Sequence, residues 1–183
     1  MERTKKVSKE IVILAMDPSL TGWGYVVLNQ SNDILTVGCI KTKPEAKKRK
    51  MREADDFTRR IHEINSRLRP VINHYNVNYL VSELPHGSQS FSSAKMLGMV
   101  PGIGQTMSDY LDMPVEWYSE GDAKQELLGK ISATKKETID AIDKLYKVPW
   151  TGTKYKDEAI ADSLSVHYAA LQLSPTLRFL TNG

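Results

Sequence analysis

The stretch 13-ILAMDPSLTGWGYVVL-28 decides how this chain is read. An apolar run stops on Asp17, turns through Pro-Ser-Leu-Thr-Gly, and gives way to a second apolar run. Asp, Pro, Ser and Gly are the usual residues of a tight turn, so one reading is turn chemistry alone. The other is a carboxylate placed at the end of a rigid element, where it can hold a metal. The run IVILAMD (11–17) is continuously apolar and bounded by charge, which suits a central strand buried on both faces.

Working outward, GYVVLNQ (24–30) and ILTVGCIKT (34–42) are separated by Ser-Asn-Asp, so the first 42 residues read as a three-strand antiparallel meander. From Phe57 the apolar residues Phe57, Ile61, Ile64, Leu68, Val71 and Ile72 fall in steps that define one helix face, with Arg59, Arg60 and Arg67 mostly off it. VNYLVSEL (77–84) is a second apolar run ending in a carboxylate, Glu83. Residues 90–111 have helical spacing, with Pro101 and its neighbouring glycines expected to kink the helix. MPVEWYS (113–119) is a strand candidate. Helices are expected over 119–129, over 132–146 with Ser132 as N-cap, and over 155–173. The order is therefore α/β: three antiparallel strands, then two parallel strands reached through helical crossovers, in a five-stranded mixed sheet flanked by helices.

The 183 residues suffice for one domain with its own core, spanning 1–183, with a flexible basic start (1–10). Lys plus Arg number 25 against 22 Asp plus Glu, so any nucleic-acid argument rests on where the charges lie. The segment 41–52 carries seven Lys or Arg and reads as a solvated loop that doubles as an arm for phosphates. The single cysteine, Cys39, excludes an internal disulfide, which suits a reducing cytoplasm. No apolar run approaches the roughly 20 residues of a membrane span, so no membrane partner is expected.

Four acids stand where elements end or inside a helix that otherwise looks buried: Asp17, Glu83, Glu158 and Asp162. Glu158 and Asp162 are four apart, about 40° round an ideal helix, so both can point at one spot. Asp157 is about 140° from Asp162 and suits a first-turn or capping role better. Parallel central strands ending at one edge would set Asp17 beside Glu83, and the last helix would bring the other two acids across. Converging carboxylates repel unless a cation intervenes. A pair of Mg²⁺ or Mn²⁺ ions resolves this, since hard cations take oxygen ligands, and two ions about 4 Å apart suit in-line phosphodiester hydrolysis.

These motifs together resemble the RuvC-type Holliday junction resolvases, of the ribonuclease H-like superfamily. AMDPSLTGWGYVVL is similar to that family's opening motif, YLVSELPHGSQSF to its second, LLGKISATKKETI to its Gly-x-Gly-x-Ala-x-Lys segment and DEAIADSLSV to its last. The resemblance spans about residues 11–172. It implies a ribonuclease H-like fold and a metal-dependent endonuclease that cuts four-way DNA junctions as a homodimer, in a bacterial or phage-infected cell's cytoplasm. It implies Asp17, Glu83 and Asp162 as metal-binding catalytic acids, with Lys135 near the scissile strand. Two positions depart from the pattern: Ile131 stands for the second glycine, and Ala159 stands where the family commonly has a fourth acid. Glu158 takes that role here, with Asp157 as the alternative.

For DNA binding, the candidates are Lys135, Lys136, the 41–52 loop, Arg59 and Arg60 as phosphate contacts, and Phe91 as a wedge at the junction centre. Trp23, Trp117 and His167 are assigned to packing, Trp150 to either packing or contact, His62 and His74 to the surface, and His86 to the site's neighbourhood. Rival readings are a nuclease of the same fold acting on flaps or other branched DNA, a junction-binding protein without turnover, and an actin-like ATPase, whose two-domain architecture needs a longer chain.

Overall fold

The computed structural model describes residues 10–45, 51–85, 87 and 91–181. Its strands are β1 (Ile13–Asp17), β2 (Gly22–Leu28), β3 (Ile34–Lys41), β4 (Tyr79–Glu83) and β5 (Val115–Tyr118). They form one sheet in the order β3-β2-β1-β4-β5, antiparallel across β1–β2 and β2–β3, and parallel across β1–β4 and β4–β5. This is the mixed sheet expected. β1 takes the centre because it is apolar on both faces: Ile13, Leu14, Ala15 and Met16 are all fully buried.

Alternation along the strands divides the core. Leu14, Met16, Trp23, Val27 and Leu80 face a layer containing α1 (Glu53–Tyr75) and α2 (Phe91–Leu111). Ile13, Ala15, Val26, Leu28, Tyr79 and Val81 face α5 (Lys154–Leu173). By the same parity Asp17, Gly24 and Glu83 belong to the α5 face.

α2 runs through Pro101 as one helix, so the proline does not divide the segment. Trp117 packs against that helix: a methyl on Gly104 would lie 2.7 Å from its ring. α3 spans Glu120–Leu128 and α4 spans Lys135–Leu145. The cap of α4 is Thr134, not Ser132: its hydroxyl accepts from the Glu137 N–H, and the Glu137 carboxylate accepts from the Thr134 N–H. A short helix, α6 (Pro175–Thr181), follows α5 and has no counterpart in the sequence reading.

α5 lies close enough to β2 that only glycine fits beneath it. A methyl on Gly24 would fall 2.4 Å from the Ala159 carbonyl oxygen and 2.8 Å from its Cβ. Gly24→Ala is expected to push α5 off the sheet at a cost of roughly 1–3 kcal/mol, read as a lower urea midpoint. Gly22→Ala is the control, because the added methyl meets only Cys39 Sγ, at 3.6 Å, and the midpoint should barely move.

Candidate active site

β1 and β4 are parallel and in register through Met16 and Ser82, so the next residues along, Asp17 and Glu83, stand side by side at one edge. Both ride on strands locked into the sheet centre, which makes this edge the most rigid place available for them. α5 crosses the same edge. The Asp17 N–H donates to Ser163 Oγ at 3.0 Å, and that hydroxyl donates to the Ala159 carbonyl at 2.8 Å. The pair of bonds pins the turn of α5 that carries Asp162 to the end of β1.

The acids act on one another electrostatically. Burial, then the charge of Asp162, pushes the Asp17 carboxyl up to about 7 against the pull of Lys135. Burial, then the charges of Asp17 and Asp162, pushes Glu83 up to about 8. Asp162 is also raised, first by burial, although the Lys135 ammonium opposes this through charge and a hydrogen bond. That bond is short: Lys135 Nζ lies 2.5 Å from Asp162 Oδ2. Burial works against the ammonium, but Asp162, Glu120 and Asp17 outweigh it and hold Lys135 above the ordinary lysine range.

Three of the four expected acids thus share this edge. Glu158 pairs with exposed Lys154 at 4.0 Å and is not among the groups that act most on Asp17, Glu83 or Asp162. Asp157 closes the loop before α5, accepting from the Thr151 N–H and hydroxyl at 2.8 Å each. The acid that does act on all three is Glu120, the first residue of α3. Its carboxylate pairs with Lys124 at 2.6 Å and lies 3.9 Å from Lys135 Nζ.

Glu120, Lys124 and Ser163 went unnoticed in the sequence. A signal for the first existed: Ser119-x-x-Asp122 is a capping box, formed here in both directions, and it places Glu120 in the first turn of a helix that leaves the sheet edge. Ser163 carries no local mark beyond following Asp162.

Among the DNA-contact candidates, Lys135 belongs to the acid cluster and Lys136 is exposed. Arg60 is a correction. Only 2% exposed, it donates from Nε to Thr42 Oγ1 at 2.8 Å and from Nη2 to the Leu20 carbonyl at 3.0 Å, so it is a core strut and not a phosphate contact. Arg59 is engaged by Asp56 at 2.7 Å and by the Lys43 carbonyl. Within the basic segment, Lys41 Nζ sits 4.0 Å over the Tyr155 ring and Arg52 pairs with Asp55, while 46–50 lie outside the described residues. His86 and the Phe91 side chain lie outside them too, although Phe91 begins α2.

The tryptophans and histidines fall as packing predicts. Trp23 is fully buried, and Trp150 packs beside the α5-facing core with its N–H on Asp143 at 2.9 Å. His62 and His74 are exposed, and His167 is buried with Nδ1 3.1 Å from the Tyr146 hydroxyl. An apolar cavity of about 520 Å³ opens between α1 and α2, lined by Ile61, Met99, Ile103 and Met107 among others; among the described residues no carboxylate lines it.

The donor set at the sheet edge is all oxygen, buried, and short of positive charge, which is the chemistry a hard divalent cation satisfies. Among the described residues no three Asp, Glu, His or Cys side chains already stand poised around a single ion, and Asp162 is engaged by Lys135.

Known proteins resemble this chain in sequence and in fold. A family model described as crossover junction endodeoxyribonuclease RuvC matches residues 13–169. The chain is 27% identical over 178 residues to the crossover junction endodeoxyribonuclease RuvC of Citrobacter koseri, covering 94% of this chain and 97% of that one. It is 28% identical over 141 residues to the protein of the same name from Shewanella woodyi, covering 75% and 76%. Among solved structures, RuvC of Thermus thermophilus in complex with Holliday junction substrate superposes with a TM-score of 0.68 at 20% identity, over 88% of this chain and 96% of that chain. The yeast mitochondrial Holliday junction resolvase Ydc2 gives a TM-score of 0.63 at 9% identity, over 93% and 81%. At those identities the structural likeness speaks for the fold.

Proposed function

The chain belongs to the RuvC family of crossover junction endodeoxyribonucleases, and on that premise we propose that its acidic sheet edge hydrolyses phosphodiesters of four-way DNA junctions. The observation that carries the reading is the placement of Asp17 and Glu83 side by side at one buried edge that α5 crosses with Asp162, whose charge raises the proton affinity of both. The family is one of metal-dependent nucleases. Asp17, Glu83 and Asp162 are the residues that would hold Mg²⁺ or Mn²⁺, in a pair of ions per site. When bound, such ions lower the pKa of a water and offset charge on the leaving oxygen.

The chain's own residues have separable tasks. β1 and β4 hold two carboxylates at a fixed spacing without relying on loops. Ser163 keeps α5, and with it Asp162, in register with the end of β1. Burial keeps the three acids under little solvent screening, which sharpens their demand for a cation. Lys135 stands at the rim, half exposed, where an ammonium can meet a phosphate. Lys136 adds exposed positive charge beside it, and Phe91 at the start of α2 is the proposed wedge.

Paired incision of a junction needs two sites, so the working unit is proposed to be a homodimer in the cytoplasm, where bacterial DNA lies. No helix among the described residues is long and apolar enough to cross a membrane.

The test compares a labelled synthetic four-way junction with a linear duplex of the same sequence, in Mg²⁺, Mn²⁺ or chelator. Symmetric, cation-dependent cuts on the junction alone are expected, and Asp162→Asn should lose them. Equal cutting of both substrates would point to a nuclease with another target. Tight junction binding without cutting under any cation would leave only a binding role.

A further inference from the structure

The Lys135 ammonium lies between two carboxylates on two different helices. It is 2.5 Å from Asp162 Oδ2 and 3.9 Å from Glu120 Oε1. Lys135 and Glu120 are held in place independently. The Thr134 capping box sets Lys135 as the first residue of α4, and the Ser119 capping box sets Glu120 as the first residue of α3. Lys124, one turn along α3, bonds the same Glu120 oxygen at 2.6 Å and keeps it turned toward the site.

This geometry has a consequence for any cation that uses Asp162. A divalent ion and the Lys135 ammonium compete for the Asp162 carboxylate, because like charges at such range repel strongly. Arrival of the ion therefore favours withdrawal of the ammonium. Its four-carbon stem is flexible and its side chain is 47% exposed, so torsional rotation suffices while its Cα stays capped in place. Glu120 is an acceptor within reach of that rotation, 3.9 Å from the ammonium.

We infer that Glu120 is a positioning residue that receives the Lys135 ammonium from Asp162 when the acidic edge takes up its divalent ions. The inference rests on the reading of Asp17, Glu83 and Asp162 as the metal-holding acids. Glu120 acts through Lys135 and does not itself hold the ion. It lowers the cost of freeing Asp162, and it keeps the ammonium at the rim of the site instead of releasing it to solvent. Glu120 lies outside the sequence motifs that carry the family resemblance.

A double-mutant cycle on Mn²⁺ binding separates this from other roles. Mn²⁺ alone is titrated calorimetrically into the full chain without DNA, for the wild type, Glu120→Gln, Lys135→Met and the double variant. Circular dichroism melts in chelator check that each is folded. Glu120→Gln is expected to weaken Mn²⁺ binding about fivefold or more, the scale of a typical coupling between sites. Lys135→Met should bind at least as tightly as the wild type, and adding Glu120→Gln to it should change nothing further. Glu120→Asp, which keeps the charge, should recover most of the loss.

An equal loss from Glu120→Gln with and without Lys135 would overturn the inference and make Glu120 a direct ligand. No loss in the wild-type background would overturn it as well. Failure of the wild type to bind Mn²⁺ or Mg²⁺ would instead remove the metal-site reading beneath it.

Discussion

Asp17→Asn is expected to abolish junction cleavage while making the cation-free protein more stable. Both effects come from the same burial. Asp17 is pushed up to about 7 and Glu83 up to about 8 by burial first and by neighbouring acids second. For a carboxylate raised in the folded state, the cost of ionisation is absent below its unfolded value near 4 and grows as pH rises through the folded value. In chelator the wild type should therefore lose stability between pH 4 and pH 8, and Asp17→Asn should lose less. With one pKa unit equal to about 1.4 kcal/mol, and allowing for coupling between the acids, the variant should gain roughly 1–3 kcal/mol at pH 8, or several degrees in Tm.

The catalytic side of the prediction is larger. Loss of a metal-holding acid forfeits several kcal/mol of transition-state stabilisation, at least about a thousandfold in rate. Saturating Mn²⁺ should stabilise the wild type by about 3 kcal/mol at a hundred times its Kd and the variant far less. His167 provides the opposing limb. Burial pushes it down to about 4, so its contribution is complete above its unfolded value of 6.5 and is lost as pH falls through 4. Subtracting the Asp17→Asn profile from the wild type cancels the histidine and isolates the acid pair. A variant no more stable than wild type at pH 8 in chelator would mean that the carboxylates are not in conflict.

The second large effect is expected from Arg60→Met, a loss of roughly 2–4 kcal/mol in urea unfolding. The guanidinium is buried and joins three separate segments: α1, the Leu20 carbonyl in the turn after Asp17, and Thr42 beyond β3. Thr42 itself donates to the same Leu20 carbonyl at 2.5 Å. Removing Arg60 leaves Thr42 Oγ1 without its donor and frees the turn that follows Asp17. Arg67→Met on the same helix, whose partner Glu63 is met at the surface, should cost under about 1 kcal/mol. Equal small losses from both would show that Arg60 is not a strut.

The sheet was legible because its signals are local. A strand buried on both faces needs an unbroken apolar run, strands joined by Ser-Asn-Asp must pair with their neighbour, and the step pattern from Phe57 can only be one face of a helix. Asp17 and Glu83 were legible for the same reason, as charges at the ends of apolar runs. Asp162 was found as part of a motif on a helix.

Directions in space were not legible in the same way. Glu158 and Asp162 share a helix face by spacing, while the close approach of Ala159 to Gly24 decides which part of α5 meets the sheet. Arg60 fell off the apolar stripe by count, yet tertiary contacts from residues 18 and 40 positions away gave its donors buried acceptors. Glu120 joins the acids because a capped helix begins beside the sheet edge, a relation between elements that periodicity within either one does not contain. The sequence by itself determined the order of strands and helices along the chain and two of the acids, since periodicity and strand ends are properties of neighbouring residues. Tertiary structure alone decided which distant side chains surround those acids, because that depends on how closely the helices approach the sheet.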